Sequence, residues 1–318
     1  MSAKFSVGLV LFSTEFLEQS LPSLFAQKFP DVEFLIRDHS VNFVASEFVE
    51  KNLPEIAARA KIFRGENIFH SGGMNFLIRE STGEFFVAAS ADAIYDENFL
   101  VRAAEILEKP GNEKVGALGG ILRKWDTAKN ESREILDSAG IGANRAGRFF
   151  EIGARGNPAK FAEEKTVFGI SGALAILRRT ALDEVAENGE FFDEKLHFKN
   201  DVDLAFRLNW LGWSAKFSPE IRATHARGLG AGKSRKSRSD FERENSAFGQ
   251  FIVVAKNWDE KFSLRTRLAA KLRLFLIRVF GIFARPEMRG IRKFDEIRGE
   301  LKKSRRRIPA REIEKLFG

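Results

Sequence analysis

The sequence of 318 residues predicts an α/β fold with a mostly parallel sheet, followed by a basic and largely helical extension. Short apolar runs alternate with amphipathic segments over the first ~110 residues, a pattern typical of βαβ units. Two of these runs are followed within three residues by an aspartate. Residues 226–318 contain 25 Lys and Arg but only 11 Asp and Glu, a net charge of +14, whereas residues 1–225 have a net charge of −6.

The βαβ elements are predicted from the period of the apolar residues. A period of two, or a short uninterrupted apolar run, predicts a strand, and a period near 3.6 predicts a helix. Ser13, Thr14 and Glu15 end the first run and are expected to cap the first helix. The predicted strands are Phe5–Phe12, Val32–Arg37, Lys61–Arg64 and Glu84–Ala89, and the predicted helices are Phe16–Gln27, Phe43–Lys51, a segment starting at Gly72–Arg79, and Asp96–Glu108.

The second half of the chain gives weaker signals. Val115–Asn157 is rich in Gly, Asn and Arg, and we expect irregular strands and loops there. Val167–Arg178 reads as a strand interrupted by glycines, Asn200–Leu211 as an amphipathic helix and Trp213–Phe217 as a short strand. We therefore expect one α/β domain over residues 1–230 and an extension over residues 231–318.

Composition excludes several classes of site. The chain has no cysteine, so disulfides, thiolate metal sites and cysteine nucleophiles are excluded. The N-terminal residues show no signal-peptide pattern, and no run of ~18 apolar residues predicts a membrane-spanning helix. We expect a cytoplasmic protein, with peripheral attachment to the inner face of the plasma membrane as a possibility for the extension.

The basic extension suggests an anionic partner. After a Gly- and Ser-rich loop at Gly228–Asp240, helices are predicted over Phe241–Lys256 and Leu264–Phe283. The second is a basic amphipathic helix, whose apolar face either meets an anionic membrane surface or packs on the catalytic domain or a second subunit. Nucleic acid is a less favoured partner: Lys233–Arg238 and Lys302–Arg307 could contact phosphates, but the body is acidic and carries no recognised nucleic-acid motif.

Two acidic residues stand where a predicted strand has just ended, which is where open α/β sheets bind ligands. They are Asp38, within Arg37-Asp38-His39-Ser40, and Asp92, within Ser90-Ala91-Asp92. A carboxylate at such a position could bind a divalent cation. The alternative for Asp92 is a cap for a helix from Ile94 onward.

Four segments, in order over residues 5–230, resemble the inverting family 2 glycosyltransferases of GT-A fold, especially their rhamnosyltransferase-like bacterial members. They are Arg37–Ser40, Glu66–Asn75, Phe86–Asp92, and the series of Gly169–Arg178, Phe192-Asp193-Glu194, Asn200-Asp201-Val202-Asp203-Leu204, Arg207, Gly212-Trp213, Pro219 and His225. The resemblance implies a mixed sheet flanked by helices. It also implies sugar transfer from a nucleotide-sugar donor, such as dTDP-rhamnose or a UDP-sugar, to a glycan or lipid-linked acceptor in polysaccharide synthesis.

The resemblance also assigns site residues. Asp92 and His225 would bind Mn²⁺ or Mg²⁺, although His225 could instead contact phosphate or be a packed loop histidine. Asp201 would be the general base, or else a helix cap. Gly172, Asn200 and Asp203 would lie on the acceptor side, with an ion pair to Arg207 favoured for Asp203. The donor side would comprise Ser13, Thr14, Glu15, Asp38, Asn67, Gly72, Gly73, Asn75, Ser90, Ala91 and Asp92.

Two positions depart from the family pattern. Ser90 stands where the family has Asp or Asn, and Asn200 stands where it has Glu. A hydroxyl is a weaker metal ligand than a carboxylate, so a sugar-nucleotide-binding member without catalytic activity remains the main alternative to an active enzyme.

Overall fold

The computed structural model describes residues 3–226 and 238–318 of the chain. In its first part, strands and helices alternate as the sequence predicts. The elements are β1 (Phe5–Leu11), α1 (Leu17–Phe25), β2 (Val32–Asp38), α2 (Val44–Asn52), α3 (Pro54–Ala57), β3 (Ala60–Arg64), α4 (Phe69–Glu80), β4 (Phe85–Ala89), β5 (Ala93–Tyr95) and α5 (Phe99–Leu107).

The second part contains more regular structure than the sequence predicts. Its elements are β6 (Val115–Asp126), β7 (Glu131–Ser138), β8 (Ile141–Ala143), β9 (Phe149–Glu151), β10 (Lys165–Val167), β11 (Leu174–Arg178), α6 (Arg179–Val185), α7 (Asn200–Trp210), β12 (Ser214–His225), α8 (Asp240–Asn257), α9 (Leu264–Ile282), α10 (Arg285–Ile297) and α11 (Ala310–Glu314). The expectation of irregular strands and loops over Val115–Asn157 did not locate β6 and β7, although the pairing of β6 with its neighbours does contain register shifts.

Ten strands of the described chain form one mixed sheet, with the path β10-β12-β6-β11-β4-β1-β2-β3. Strands β1, β2, β3 and β4 pair in parallel, β11 runs antiparallel to both β4 and β6, and β6 pairs in parallel with β12. The remaining two of the ten strands lie off this path: β5 pairs with β12, and β7 pairs with β6. The mixed sheet with helices on its faces is the predicted fold class, and β5 and β7 extend it beyond the main path.

The two faces of the sheet are covered by separate apolar clusters, and this explains the uninterrupted apolar character of the central strands. All seven residues of β1 are buried. One face packs against α1 and α5, and the other against α4, α6 and α7. The sheet is thus a rigid support for the polar residues at its ends.

A third apolar cluster joins α7 to the C-terminal helices. It contains Phe206 and Trp210 from α7, Phe251 from α8, and Phe317 at the end of the chain. The extension therefore packs on the rest of the protein. The predicted domain boundary at residue 230 lies outside the described residues, and so does most of the predicted loop at Gly228–Asp240.

The first helix differs from its prediction. It begins at Leu17 rather than Phe16, and no side chain caps its first turn. Ser13, Thr14 and Glu15 are exposed after β1, and the Ser13 hydroxyl accepts a hydrogen bond from the Glu15 backbone at 3.3 Å. The capping interpretation of these residues is wrong because Phe16, which precedes the helix, adopts a left-handed conformation.

Within the part of the chain that the structure describes, no helix is both long enough and apolar enough to cross a lipid bilayer.

Candidate active site

Asp92 and His225 are brought together by sheet pairing. The residues after Asp92 form β5, and β5 pairs with the end of β12 so that Ala93 lies opposite His225. His225 Nε2 consequently lies 3.1 Å from Asp92 Oδ1, and the Ser90 hydroxyl donates to the same oxygen. The alternative of Asp92 as a helix cap is wrong, because a strand follows it.

A third residue, Asp137, completes this arrangement. Its Oδ2 lies 3.2 Å from His225 Nδ1, so the imidazole is held between two carboxylates. Asp137 is buried near the end of β7, which reaches β12 through β6. No sequence motif marks this aspartate, and the sequence analysis missed it because the strand that carries it was read as irregular.

The two carboxylates control the charge of His225. Burial alone would lower the pKa of His225, but its hydrogen bonds and charge interactions with Asp137 and Asp92 outweigh burial and raise the pKa to about 9. Without a metal ion, His225 is therefore an imidazolium at neutral pH. The interpretation of His225 as an ordinary packed loop histidine does not fit this environment.

Asp201 lies in the first turn of α7. Its Oδ1 accepts from the backbone N–H of Val202 at 2.8 Å, and its Oδ2 accepts from Gly172 at 3.3 Å. Burial nevertheless raises the pKa of Asp201 above its ordinary value. A carboxylate made more basic in this way is suited to accept a proton.

Asn200 and His70 lie next to Asp201. The Asn200 amide donates to the Ser71 hydroxyl at 2.9 Å and lies 3.4 Å from His70 Nδ1. Burial lowers the pKa of His70 to about 4, with the charge of Asp92 opposing the shift, so this imidazole is neutral. The sequence analysis quoted His70 within a motif but did not select it as a site residue.

A cavity of about 710 Å³ opens beside these groups. Asp137 lines it together with Asp201, and basic side chains such as Lys124, Arg148 and Lys199 form much of its wall. Asp38 is not among the described residues that line it. Asp92 and His225 are not among them either, so of the three predicted aspartates only Asp201 lines the cavity, and Asp92 is linked to it through His225 and Asp137.

This architecture matches solved glycosyltransferase structures. A mannosyltransferase from Pyrobaculum calidifontis, solved with GDP-Man and Mn²⁺, matches with a TM-score of 0.57 and 16% identity over 93% of this chain and 76% of that chain. GalNAc-T7, solved with UDP, GalNAc and Mn²⁺, matches with a TM-score of 0.62 and 15% identity over 95% of this chain, which spans only 56% of GalNAc-T7. TarS of S. aureus, residues 1–349, matches with a TM-score of 0.54 and 15% identity over 89% of this chain and 73% of that chain.

The chain has the GT-A fold. At these identities the likeness shows the fold alone. No protein-family model matches the sequence, and no curated protein matches it.

Several residues predicted for the donor side of the GT-A site have structural partners instead. Asp38 is fully buried, and its carboxylate accepts from the backbone N–H and hydroxyl of Ser40 and the backbone N–H of Ser46 at 2.6–2.7 Å. Burial would raise the pKa of Asp38, but these hydrogen bonds outweigh it and lower the pKa. Asp38 orders the turn before α2, and donor contact would require that turn to open.

Asn75 also serves the fold. Its side-chain oxygen accepts from the backbone of Phe191 and Phe192, and its amide donates to the Phe192 carbonyl and to Glu194. The residue is fully buried, so the predicted donor contact is not supported. Asn67 accepts from the Phe69 backbone at 2.9 Å and so orders the start of α4.

The glycine pair lies inside α4, which begins three residues before Gly72. A Cβ on Gly73 would lie 2.7 Å from Val10 and 2.8 Å from His39, and one on Gly72 would lie 3.0 Å from Ile68. The pair therefore permits close packing of α4 on β1 and within its own first turn. The expected approach of a donor to this backbone is not supported.

The acceptor-side residues divide in the same way. Gly172 and Asn200 lie beside Asp201, as the resemblance implies. Asp203 is completely buried, with its Oδ2 2.8 Å from Arg207 and 3.2 Å from Lys256. The favoured ion pair of Asp203 with Arg207 is confirmed, and its burial leaves no surface for an acceptor.

On the donor side, Ser90 and Ala91 precede Asp92 in a turn that is held by the chain's single tyrosine, Tyr95. The Tyr95 hydroxyl accepts from the Ser90 backbone N–H at 2.7 Å and donates to the Ser90 carbonyl at 3.0 Å. This clamp fixes the Ser90 hydroxyl against Asp92. The serine that departs from the family pattern is therefore an ordered partner of the candidate metal ligand.

Proposed function

We propose that the chain is an inverting glycosyltransferase that moves a sugar from a nucleoside diphosphate to an acceptor hydroxyl, with Asp201 as general base. One observation carries the proposal: Asp201 and Asp137 line the same cavity, and Asp137 holds His225 against Asp92. A basic carboxylate thus faces a site suited to a metal-bound diphosphate. The GT-A fold, which this chain shares with structures solved with nucleotides or nucleotide sugars, supports the proposal.

The chemistry of Asp92 and His225 fits a divalent cation such as Mn²⁺ or Mg²⁺. One carboxylate and one imidazole converge, and the far nitrogen of the imidazole faces a second carboxylate, an arrangement common around metal-binding histidines. Among the described residues no three His, Asp or Glu side chains are placed to hold one metal ion together, so Asp92 and His225 would share the cation with diphosphate oxygens. The bound cation would act as a Lewis acid toward the leaving diphosphate.

Asp201 would supply the proton transfer. The acceptor hydroxyl gives its proton to Asp201, its oxygen forms a bond to the anomeric carbon, and the bond from that carbon to the diphosphate oxygen breaks with its electrons leaving on the diphosphate. The raised pKa of Asp201 favours this role, because a stronger base takes the proton further in the transition state. Gly172 and Asn200 would orient the carboxylate and the residues beside it.

We propose the family 2, rhamnosyltransferase-like assignment from the motif resemblance, with a role in cell-surface polysaccharide synthesis. The donor would be dTDP-rhamnose or a UDP-sugar. A thermal-shift panel of nucleotide sugars, measured with and without Mn²⁺, would identify the base and the sugar, because a ligand that binds only the folded state raises the unfolding temperature.

The proposal is tested with Asp201→Asn, which keeps the shape of the side chain but removes the base. We expect transfer to fall by about 10²–10⁴-fold, with donor affinity close to that of the wild type. Asp183→Asn, at an exposed surface pair, is the matched control. Transfer within a few-fold of the wild type in the Asp201 variant would remove the residue from the base role.

The alternative of a binding protein without activity rests on Ser90 and Asn200, the two departures from the family pattern. The structure bears on Ser90. Its hydroxyl donates to Asp92 and so makes no anionic ligand. Mn²⁺-dependent release of diphosphate from a nucleotide sugar would exclude this alternative. The nucleic-acid hypothesis gains no support, because Arg305 and Arg307 bind Glu184 of the body and Arg306 pairs with Asp259 within the extension. Most of Lys233–Arg238 lies outside the described residues.

A further inference from the structure

We propose that the exposed apolar face of α9 docks the protein on an anionic lipid bilayer and holds the Asp201 cavity at the level of the lipid headgroups. This inference rests on the proposed function only in taking the Asp201 cavity as the place of sugar transfer. The apolar face is defined as Leu264, Leu268, Leu272, Phe275, Leu276, Val279, Ile282 and Phe283.

The apolar face is fully formed and open to solvent. The exposed fraction of its side chains runs from 38% for Val279 to 86% for Phe283. The opposite side of the helix is fixed, with Thr266, Ala270 and Gly281 buried. A Cβ on Gly281 would lie 2.9 Å from Ile291 of α10, so the helix is packed closely and its outward face is set by the fold. Contiguous apolar surface of this kind marks an interaction site.

The charges on α9 indicate what covers this face. The helix carries five Arg and Lys and no Asp or Glu. Arg265 and Lys271 are exposed, whereas Arg278 pairs with Asp295 of α10. An apolar face bordered by cations is the pattern of helices that lie in the interface of acidic membranes. The helix would lie in the membrane plane, because five cations in 19 residues preclude a spanning orientation.

A second copy of the chain fits this face less well. A symmetric dimer brings the same patch of both subunits together. In such a dimer, neither α9 would supply a carboxylate to pair with the exposed Arg265 and Lys271 of the other copy. An acidic lipid surface supplies the missing negative charge.

The apolar face borders the candidate active site. Ala146 forms a shallow groove with Leu272 and Leu276, whereas Asn144 and Arg148, two residues away on either side, line the Asp201 cavity. Arg273 of α9 lies in the same groove, and burial together with the charge of Arg148 lowers its pKa. Residues 144–148 therefore form a common wall. Docking would bring the basic side of the cavity to the lipid surface, which suits an acceptor carried on a lipid.

The test measures binding of the full chain to sedimented vesicles of phosphatidylcholine, with and without phosphatidylglycerol. We expect binding to the anionic vesicles only, and loss of it in high salt. Arg265→Gln/Lys271→Gln should weaken binding by about 30-fold, since each cation near an acidic surface contributes roughly a factor of five. Leu272→Glu/Phe275→Glu should abolish binding. Val41→Glu, which changes an apolar side chain that is 80% exposed elsewhere, should retain it.

The outcomes separate docking from sugar transfer. Release of the nucleoside diphosphate from a soluble nucleotide sugar is measured on the same samples. The rate of this release should be unchanged in Leu272→Glu/Phe275→Glu. A wild type that hydrolyses donors but never sediments with anionic vesicles overturns docking and leaves the proposed function intact. Vesicle binding without any donor chemistry overturns the function alone. A third outcome would assign the face to a second copy: the wild type is a dimer in light scattering and does not bind vesicles, and Leu272→Glu/Phe275→Glu is a monomer.

Discussion

Asp137 offers the sharpest test of the candidate active site, because no motif marks it. Its carboxylate faces His225 Nδ1 at 3.2 Å, whereas Nε2 points to Asp92. We expect Asp137→Asn, which removes the charge but keeps an acceptor oxygen, to weaken Mn²⁺ binding by about 10-fold. Asp137→Ala removes both and should approach a loss of about 100-fold, or roughly 3 kcal/mol.

The assay is a calorimetric titration, in which the heat of Mn²⁺ binding is measured in the presence of the nucleoside diphosphate. Glu134→Gln is the matched control, since its side chain lies on the same strand but is 74% exposed. The pKa of His225 in the metal-free variants, measured by NMR, should fall from about 9 toward the ordinary histidine value. Unchanged Mn²⁺ affinity in both variants, together with the lowered pKa, would refute Asp137 as a support for metal binding.

Three further predictions concern the fold around the site. Asp203→Asn should destabilise the protein by about 3–5 kcal/mol, because it leaves Arg207 buried without its partner, whereas Asp183→Asn at the surface should cost less than about 1 kcal/mol; thermal unfolding compares them. Asn75→Ala should cost about 3 kcal/mol in denaturant unfolding, since it orphans buried backbone groups, while Mn²⁺ binding persists. The raised pKa of His225 predicts that its stabilisation of the metal-free protein is complete below pH 6.5 and is lost as the pH rises through about 9; calorimetric scans that show no such loss would contradict it.

Local periodicity was sufficient to predict the parallel half of the sheet. The strands β1 to β4 differ from their predicted bounds by one residue or less. Of these, β1, β2 and β4 contain short apolar runs that end at polar turns. The strand β6 was missed for a physical reason. Its sequence carries three glycines, two of them adjacent, and it is buried on both faces, so it shows neither alternation nor strong strand propensity.

The site was predictable only where a motif recorded it. Asp92 and His225 are 133 positions apart, and Asp137 is 88 positions from His225. Such contacts depend on strand register in the completed sheet, which no local window contains. Residue type alone also misled for Asn75, which matches a motif position although its side chain is buried in the protein.

The direction of each pKa shift separates the structural aspartates from the proposed general base. Asp38 and Asp203 are held in their charged form, because hydrogen bonds or neighbouring cations outweigh their burial and lower the pKa. Asp201 is different: burial outweighs its backbone hydrogen bonds and the charge of Lys199, and its pKa is raised. Hydrogen bonds or cations that stabilise a charged carboxylate make it a weaker base, whereas the raised pKa of Asp201 makes its carboxylate a stronger one. Of these three aspartates, Asp201 is therefore the one whose environment suits proton transfer, and it is also the one that lines the cavity.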